Sequence, residues 1–334
     1  MRRLIYLVAI LLVSTATTPL WSTGIQEEEQ APVAPRGDVT FSVVSLRGPT
    51  GVGLVEAMQE EEIAPGVSVE WEIAGAPDIA VSRILSGEAD LVTLPTNVAA
   101  QLYSRGADVA VAGTTLWGVL YLVGPEDGPE SWQELAGRTV YTLAQGATPD
   151  VLFRYLLSEN GIDPTDGLTI DYSYGHVELA QLAAAGEIDL AVLPEPFVTQ
   201  VTLRNPEMQV LLDFQESWRE VTGSSRSYPQ TVFLARRGAA EDNPEAFSIL
   251  MNRIGESLSF AVADPIATAE LTAESEVGLP AAVTESAIPR LNIAYESARE
   301  ARDEMAAYLE VLYDFNPRSV GGALPGDDFY LDLR

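Results

Sequence analysis

Two loops carry the same short pattern. Gly48-Pro49-Thr50 and Gly146-Ala147-Thr148 each lie between a β-rich run and an apolar helical pattern. A threonine at a helix start can simply accept from the helix's own first-turn N–H groups. The preceding glycine allows more: a ligand can approach the backbone, where free N–H groups and the helix dipole favour an anionic or electron-rich group. Two such loops in matching positions favour ligand contact, with Gly51 continuing the first. Arg47, just before Gly48, offers bidentate pairing to a carboxylate, sulfonate or phosphate, or else a surface ion pair. Glu195 stands between Pro194 and Pro196, which are expected to hold the backbone extended and present the carboxylate stiffly. It could accept from an amine or ring N–H, or complement a helix start. Thr96 and Asn97 follow Pro95 in the corresponding loop of the first half. Trp117, after a strand, could stack on a planar ligand or pack between lobes. Trp218 and Tyr228 lie in a polar crossover and could close over a cleft. Tyr174 and His176 share a further strand-end loop, where the histidine reads as a surface or capping residue rather than a catalyst.

Much chemistry is excluded by composition. The chain has 334 residues with 49 acids, 19 basic residues, one His and no Cys. Every basic residue is Arg. Without Lys there is no Walker-type phosphate loop, Schiff-base nucleophile or Ser–Lys dyad. Without Cys there is no disulfide, thiol catalysis, iron–sulfur cluster or thiolate zinc site. One His forms no multi-His metal centre, so neither a metal nor a cofactor is expected. A net charge of −30 argues against nucleic acid, whose phosphates need a basic surface. The hydrophobic fraction of 47% is that of a globular protein, and the length allows about two domains.

The elements that must position these residues repeat. GEADLVTLP (87–95) and GEIDLAVLP (186–194) match at an offset of 99. Upstream, VTFSVVSLRGPTGVGLVEAM (39–58) parallels RTVYTLAQGATPDVLFRYLL (138–157). Between the paired blocks lie the alternating runs VSVEWEI (67–73) and LTIDYSY (168–174). Each half reads β-loop-α-β-α-β-α, which predicts an α/β fold with a parallel sheet covered by helices on both faces. Ligands in such sheets bind beyond the carboxyl ends of the strands, so the four loops line one cleft if the halves face each other. Past the second half come strands at 209–213 and 228–235 and helical patterns at 243–263, 265–276 and 294–314. The expected division is a first lobe at 38–124, a second at 125–213, and a crossover with C-terminal helices at 214–334 packing back on the first lobe.

The start reads as an export signal. Arg2-Arg3, an apolar run from Leu4 to Val13 and small residues at Ser22 and Gly24 predict a signal peptide over 1–24, without a Cys for lipid attachment. Residues 25–37 are acidic and Pro-bearing, a linker. The mature protein is expected to be extracytoplasmic, soluble and monomeric.

Taken together, GPTGVG, GEADLVTLP, QGATPDVLFRYLL, GEIDLAVLPEPF and YPQTVFLARR resemble the periplasmic substrate-binding proteins of ABC importers. The similar branch holds nitrate-, sulfonate/taurine- and thiamine-pyrimidine-precursor-binding members, over residues 38–320. The resemblance implies a type II two-lobed fold with crossover segments, closing like a hinged clamp on a small molecule. It also implies a membrane permease and an ATPase on other chains, and no catalysis. Pyrimidine-synthesising fungal relatives of this fold use His and Cys, and hydroxymethylbilane synthase needs a cofactor-bearing Cys, so neither activity carries over. Two alternatives use the same fold: an enzyme of the menaquinone-precursor dehydratase type, needing an acid–base pair such as Glu195 with His176, and a ligand-sensing subunit. The acidic field of the chain favours a neutral or cationic ring compound with Glu195 as its partner.

Overall fold

The computed structural model describes residues 38–143 and 145–332. The expected signal peptide and the acidic linker lie outside them. Among the described residues there are eleven strands: β1 (Val39–Leu46), β2 (Glu62–Ala64), β3 (Val67–Ala74), β4 (Leu91–Pro95), β5 (Val109–Leu116), β6 (Leu120–Pro125), β7 (Thr139–Tyr141), β8 (Thr169–Asp171), β9 (Ala191–Pro194), β10 (Met208–Asp213) and β11 (Thr231–Arg236). Twelve helices accompany them: α1 (Pro49–Val52), α2 (Pro77–Ser86), α3 (Thr96–Ser104), α4 (Thr148–Glu159), α5 (His176–Ala185), α6 (Phe197–Arg204), α7 (Phe214–Thr222), α8 (Arg237–Asp242), α9 (Pro244–Ala263), α10 (Pro265–Glu274), α11 (Ala281–Leu291) and α12 (Arg302–Phe315).

The strands form two sheets, ordered β2-β3-β1-β4-β11-β5 and β10-β6-β9-β7-β8. Read from β3 in one and β8 in the other, they share one plan, as the sequence repeat predicts. The central strands β4 (LVTLP) and β9 (AVLP) are mostly apolar and buried in all but their last residue. That is the composition of strands covered on both faces.

The repeated glycine has a local cause. Gly87 and Gly186 end α2 and α5 in the left-handed conformation, at φ 78° and 71°. A residue with a Cβ resists this backbone, so the glycine stops the helix and turns the chain into the next buried strand. GEADL and GEIDL are therefore helix-stop and strand-start signals, set beside the site rather than in it.

The sheets are not wholly parallel. β1 runs parallel to β3 and β4, and β7 to β8 and β9, but β11 is antiparallel to β4 and β5, and β6 to β9 and β10. The reason is the route of the chain. From β5 it crosses to the second sheet over only Trp117–Val119, at the carboxyl end of the strands. A strand entering a sheet from that end must run against its neighbours. β6 therefore pairs in the second sheet, although the expected boundary at 124 assigns it to the first lobe. Likewise α7 packs on α4, β6 and β10 of the second lobe rather than on the first.

Two further expectations are corrected. The helix after Thr50 has four residues, because Gly51 and Gly53 let Val277, Leu258 and Ile293 approach the backbone closely. The pattern at 294–314 becomes helical only from Arg302; residues before it bridge β5 at Leu116↔Ile293 and Gly113↔Ser297. Helices α7, α8 and α11 have no counterpart among the sequence patterns; α11 contains Pro289, which breaks the sequence signal without ending the helix. One buried cluster runs from Val44 and Val92 of the first sheet through Trp117 and Tyr228 at the crossings to Phe153 of α4.

Candidate functional site

At the carboxyl ends of both sheets lies a cleft of about 410 Å³, which joins the two lobes. The first lobe contributes the turn after β1 (Arg47, Pro49, Thr50), the start of α2 (Ala76, Pro77), Pro95 ending β4, and Gln230 and Thr231 entering β11. The second contributes Val119, His176 and the end of β9 at Pro194 and Glu195. The pairing of Pro95 with Pro194 is the sequence repeat made spatial.

Arg47 is exposed on the cleft wall, and its guanidinium makes no ion pair or hydrogen bond among the described residues. Gly48 has φ +87°, a conformation that favours glycine, and its N–H donates to the Val277 carbonyl at 3.0 Å. That amide is therefore not free for a ligand. Gly51 is required by packing: a Cβ there would meet Val277 at 2.7 Å. Thr50 is buried at the cleft wall, and its hydroxyl has no partner among the described residues. The side-chain oxygen of Gln230 is buried there without a hydrogen-bond partner. Such an orphaned acceptor is costly unless something fills it.

Glu195 differs most from its expected form. The Glu195–Pro196 peptide is cis and the chain turns there rather than staying extended. The side chain is 2% exposed. Its oxygens accept from the Thr199 amide at 3.1 Å and hydroxyl at 2.9 Å, and from Arg290 Nε at 2.5 Å. Arg290 also donates to the Thr199 hydroxyl at 2.7 Å. Burial pushes the Glu195 carboxyl up from its usual range, while Arg290 and Thr199 pull it back. The carboxylate is thus capping α6 and clasping α11, whose last turn supplies Arg290. Both oxygens are taken by the chain itself, which removes the ground for a cationic ligand as their partner. Arg290 lies 95 residues away in sequence, inside the helix that Pro289 obscures, and no spacing rule links the two.

Several sequence candidates lie elsewhere. The Trp117 indole N–H donates to the Ala294 carbonyl at 3.1 Å, and the Arg226 guanidinium covers its ring at 5.6 Å. Tyr228 is fully buried, donates to Gln215 Oε1 at 2.7 Å and stacks on Tyr308 at 5.4 Å. Trp218 packs on Tyr228 and Tyr308. These aromatics are core at the crossings, not a lid. Thr96 is buried and donates to the Pro229 carbonyl at 2.5 Å; Asn97 reaches the Ser319 carbonyl at 3.4 Å. Gly146 donates its amide to Asp150 Oδ2 at 2.8 Å, Ala147 precedes α4, and Thr148 is its first residue. None of the three lines the cleft. Tyr174 rests against Tyr141, ring centroids 5.8 Å apart. His176, at the start of α5, does line it, and partial burial lowers its pKa.

Geometrically, then, the cleft carries one arginine without a carboxylate, one carboxylate already compensated from behind, an orphaned amide oxygen and a single imidazole. No group of at least three His, Asp or Glu able to hold a metal occurs among the described residues.

Comparison with known proteins gives this geometry a family. Residues 52–265 match the model of the phosphonate ABC transporter periplasmic substrate-binding proteins. The Bacillus subtilis binding protein YtlA is 22% identical over 224 residues, 66% of this chain; the match spans 63% of that relative's length. A crystal structure of an ABC transporter protein from Parabacteroides distasonis is 26% identical and superposes with TM-score 0.76, covering 89% of this chain and all of that one. The aliphatic sulphonate-binding protein SsuA of Escherichia coli, at 17% identity, shares the fold with TM-score 0.68, covering 88% of this chain and 94% of its own. So does the nitrate-binding protein NrtA of Synechocystis, at 13% identity and TM-score 0.60, covering 85% and 83%. With more than half of its length matched by the family model and both lobes in the corresponding fold, the chain belongs to the periplasmic substrate-binding proteins of ABC transporters.

Proposed function

We propose that this protein is an exported, monomeric capture protein that closes on a small oxyanion, of the sulfonate or phosphonate class, and delivers it to the permease and ATPase of an ABC importer. The observation that carries the ligand class is the charge balance of the cleft. Arg47 faces it without a carboxylate, whereas Glu195 is neutralised by Arg290. The cleft is therefore locally positive inside a chain of net charge −30. A guanidinium with a free fork is suited to two oxygens of one oxyanion. The starts of α2 and α5 face the same space without side-chain caps, although Asp78 and Glu178 stand in their first turns. The family description and the names of SsuA and NrtA point the same way. Acid–base catalysis by Glu195 with His176 gains no support, because the carboxylate is held by Thr199 and Arg290.

The test is a melting-temperature screen of the purified protein against alkylsulfonates, alkylphosphonates and nitrate, beside pyrimidines and aromatic amines. A bound oxyanion at a hundredfold excess over its Kd stabilises by about 2.7 kcal/mol. The shift is expected with oxyanions and is expected to vanish in Arg47→Gln. Shifts confined to amines or pyrimidines would overturn the ligand class, and turnover of any compound would overturn the capture role.

A further inference from the structure

We propose a second oxyanion site at the hinge, separate from the cleft. A pocket of about 310 Å³ is bounded by both chain crossings and by the segment along β5. Trp117 comes from the first crossing, Arg219 from α7, Arg226 and Ser227 from the second crossing, and Asn292 and Glu296 from the segment beside β5. No residue of this pocket lines the cleft; Leu116 and Val119 of the cleft flank Trp117 in sequence.

Three observations on these residues point to one ligand chemistry. Ser227 is 5% exposed and its hydroxyl is buried with no partner. A buried hydroxyl without a partner is unfavourable, and Ser227 lines the pocket, where its hydroxyl is a donor in want of an acceptor. Arg219 makes no side-chain hydrogen bond or ion pair among the described residues. Its guanidinium is therefore available to a ligand, beside the unfilled hydroxyl of Ser227. Arg226 is held in place twice, by Glu296 at 2.8 Å and over the Trp117 ring at 5.6 Å. Its fork is thus pre-oriented at the pocket wall. Arg226 is answered by Glu296, and Glu300 also feels its charge, so Arg219 is the guanidinium of this pocket that no carboxylate pairs. The complementary occupant is a small oxyanion, a carboxylate or an inorganic one such as sulfate. It would take charge-assisted bonds from Arg219 and a hydroxyl bond from Ser227. A neutral ring compound would leave Arg219 and Ser227 as they are.

The test uses the Trp117 indole N–H as reporter, in proton–nitrogen spectra of the full chain titrated with sodium sulfate and, separately, sodium acetate. Trp117→Phe assigns the signal. Sodium chloride at equal ionic strength is the control for general screening. A saturable shift is expected with sulfate or acetate, unchanged in Arg47→Gln and lost in both Arg219→Gln and Ser227→Ala. The spread of the remaining amide signals verifies that each variant is folded. Saturation by both salts assigns the site to oxyanions generally; saturation by one assigns it to that class. A shift that never saturates, one that chloride reproduces, or one that survives both hinge variants would overturn the site. A shift lost in Arg47→Gln would place the anion in the cleft and overturn the hinge assignment while leaving the cleft reading intact.

Discussion

The clasp between Glu195 and Arg290 is where single residues decide most. Removing Arg290 strands a carboxylate that is 2% exposed. Breaking a buried pair from one side costs about 3–5 kcal/mol. With the Arg290 side chain 32% exposed, Arg290→Gln is expected to lower the unfolding free energy from urea titration by the lower end of that range, about 3 kcal/mol. Its pH dependence is fixed by sign. Burial already raises the Glu195 pKa, and losing Arg290 raises it further. A carboxyl with a raised folded-state pKa favours folding below the unfolded value and loses that contribution as pH rises through the folded one. The variant's deficit should therefore be larger at about pH 7.5 than at about pH 5. An equal deficit at both would show that Glu195 stays ionised without its partner. His176 supplies a second test. Its pKa lies below the ordinary value of about 6.5, so folding loses stability as pH falls below that value and the unfolded chain takes up the proton first. An oxyanion in the cleft favours the imidazolium, so binding should take up a proton and tighten as pH falls through this range. Calorimetry in buffers of different ionisation enthalpy reads the proton, and His176→Gln should abolish it. Proton release on binding would argue for a cationic ligand.

At the scale of elements, the crossings are held by contacts that tolerate little. Gly118 has φ +84°, and a Cβ there would meet the Tyr228 ring at 2.7 Å and Gln215 Oε1 at 2.8 Å. Gly118→Ala combines a left-handed backbone penalty with overpacking, together about 2–4 kcal/mol. Gly87 has a similar φ of +78° but open space around it, so Gly87→Ala should cost only about 1–2 kcal/mol. Comparing the two denaturation midpoints separates packing at the hinge from backbone conformation; equal losses would mean that the crossing relaxes around the methyl group. The same contrast explains what was legible. The helix-stop glycines announce themselves through a repeated motif, because their role is local. The tight approach of Gly51 to Val277 does not, because the partner arrives from more than two hundred residues away.

For the whole molecule the governing quantity is the net charge of −30. Among the described residues many arginines are already paired, as Arg253 is with Glu56 and Arg236 with Asp90. The surplus of acids remains, and its self-repulsion acts on the compact state. The screening length falls from about 30 Å at 0.01 M salt to about 3 Å at 1 M. The melting temperature is therefore expected to rise with sodium chloride across that range. A flat or falling curve would show that the surviving ion pairs lose as much to screening as the surplus acids gain.

The sequence by itself determined the plan of the fold. Repetition of strand, helix and helix-stop glycine is encoded over short windows, where periodicity and backbone preference act directly, so the two α/β halves and the cleft at their strand ends could be read from it. Arg47 could be singled out because it adjoins the repeated loop. Only the tertiary structure decided what faces what. It inserted β6 and β11 against the parallel strands, buried Trp117, Trp218 and Tyr228 at the crossings, engaged Thr96 and Asn97 elsewhere and closed Glu195 with Arg290. These outcomes depend on the side from which the chain enters each sheet and on partners far apart in sequence. Composition pointed to a neutral or cationic guest with Glu195 as its partner; the ion pair with Arg290 occupies that carboxylate, and the oxyanion proposed above rests on this contact.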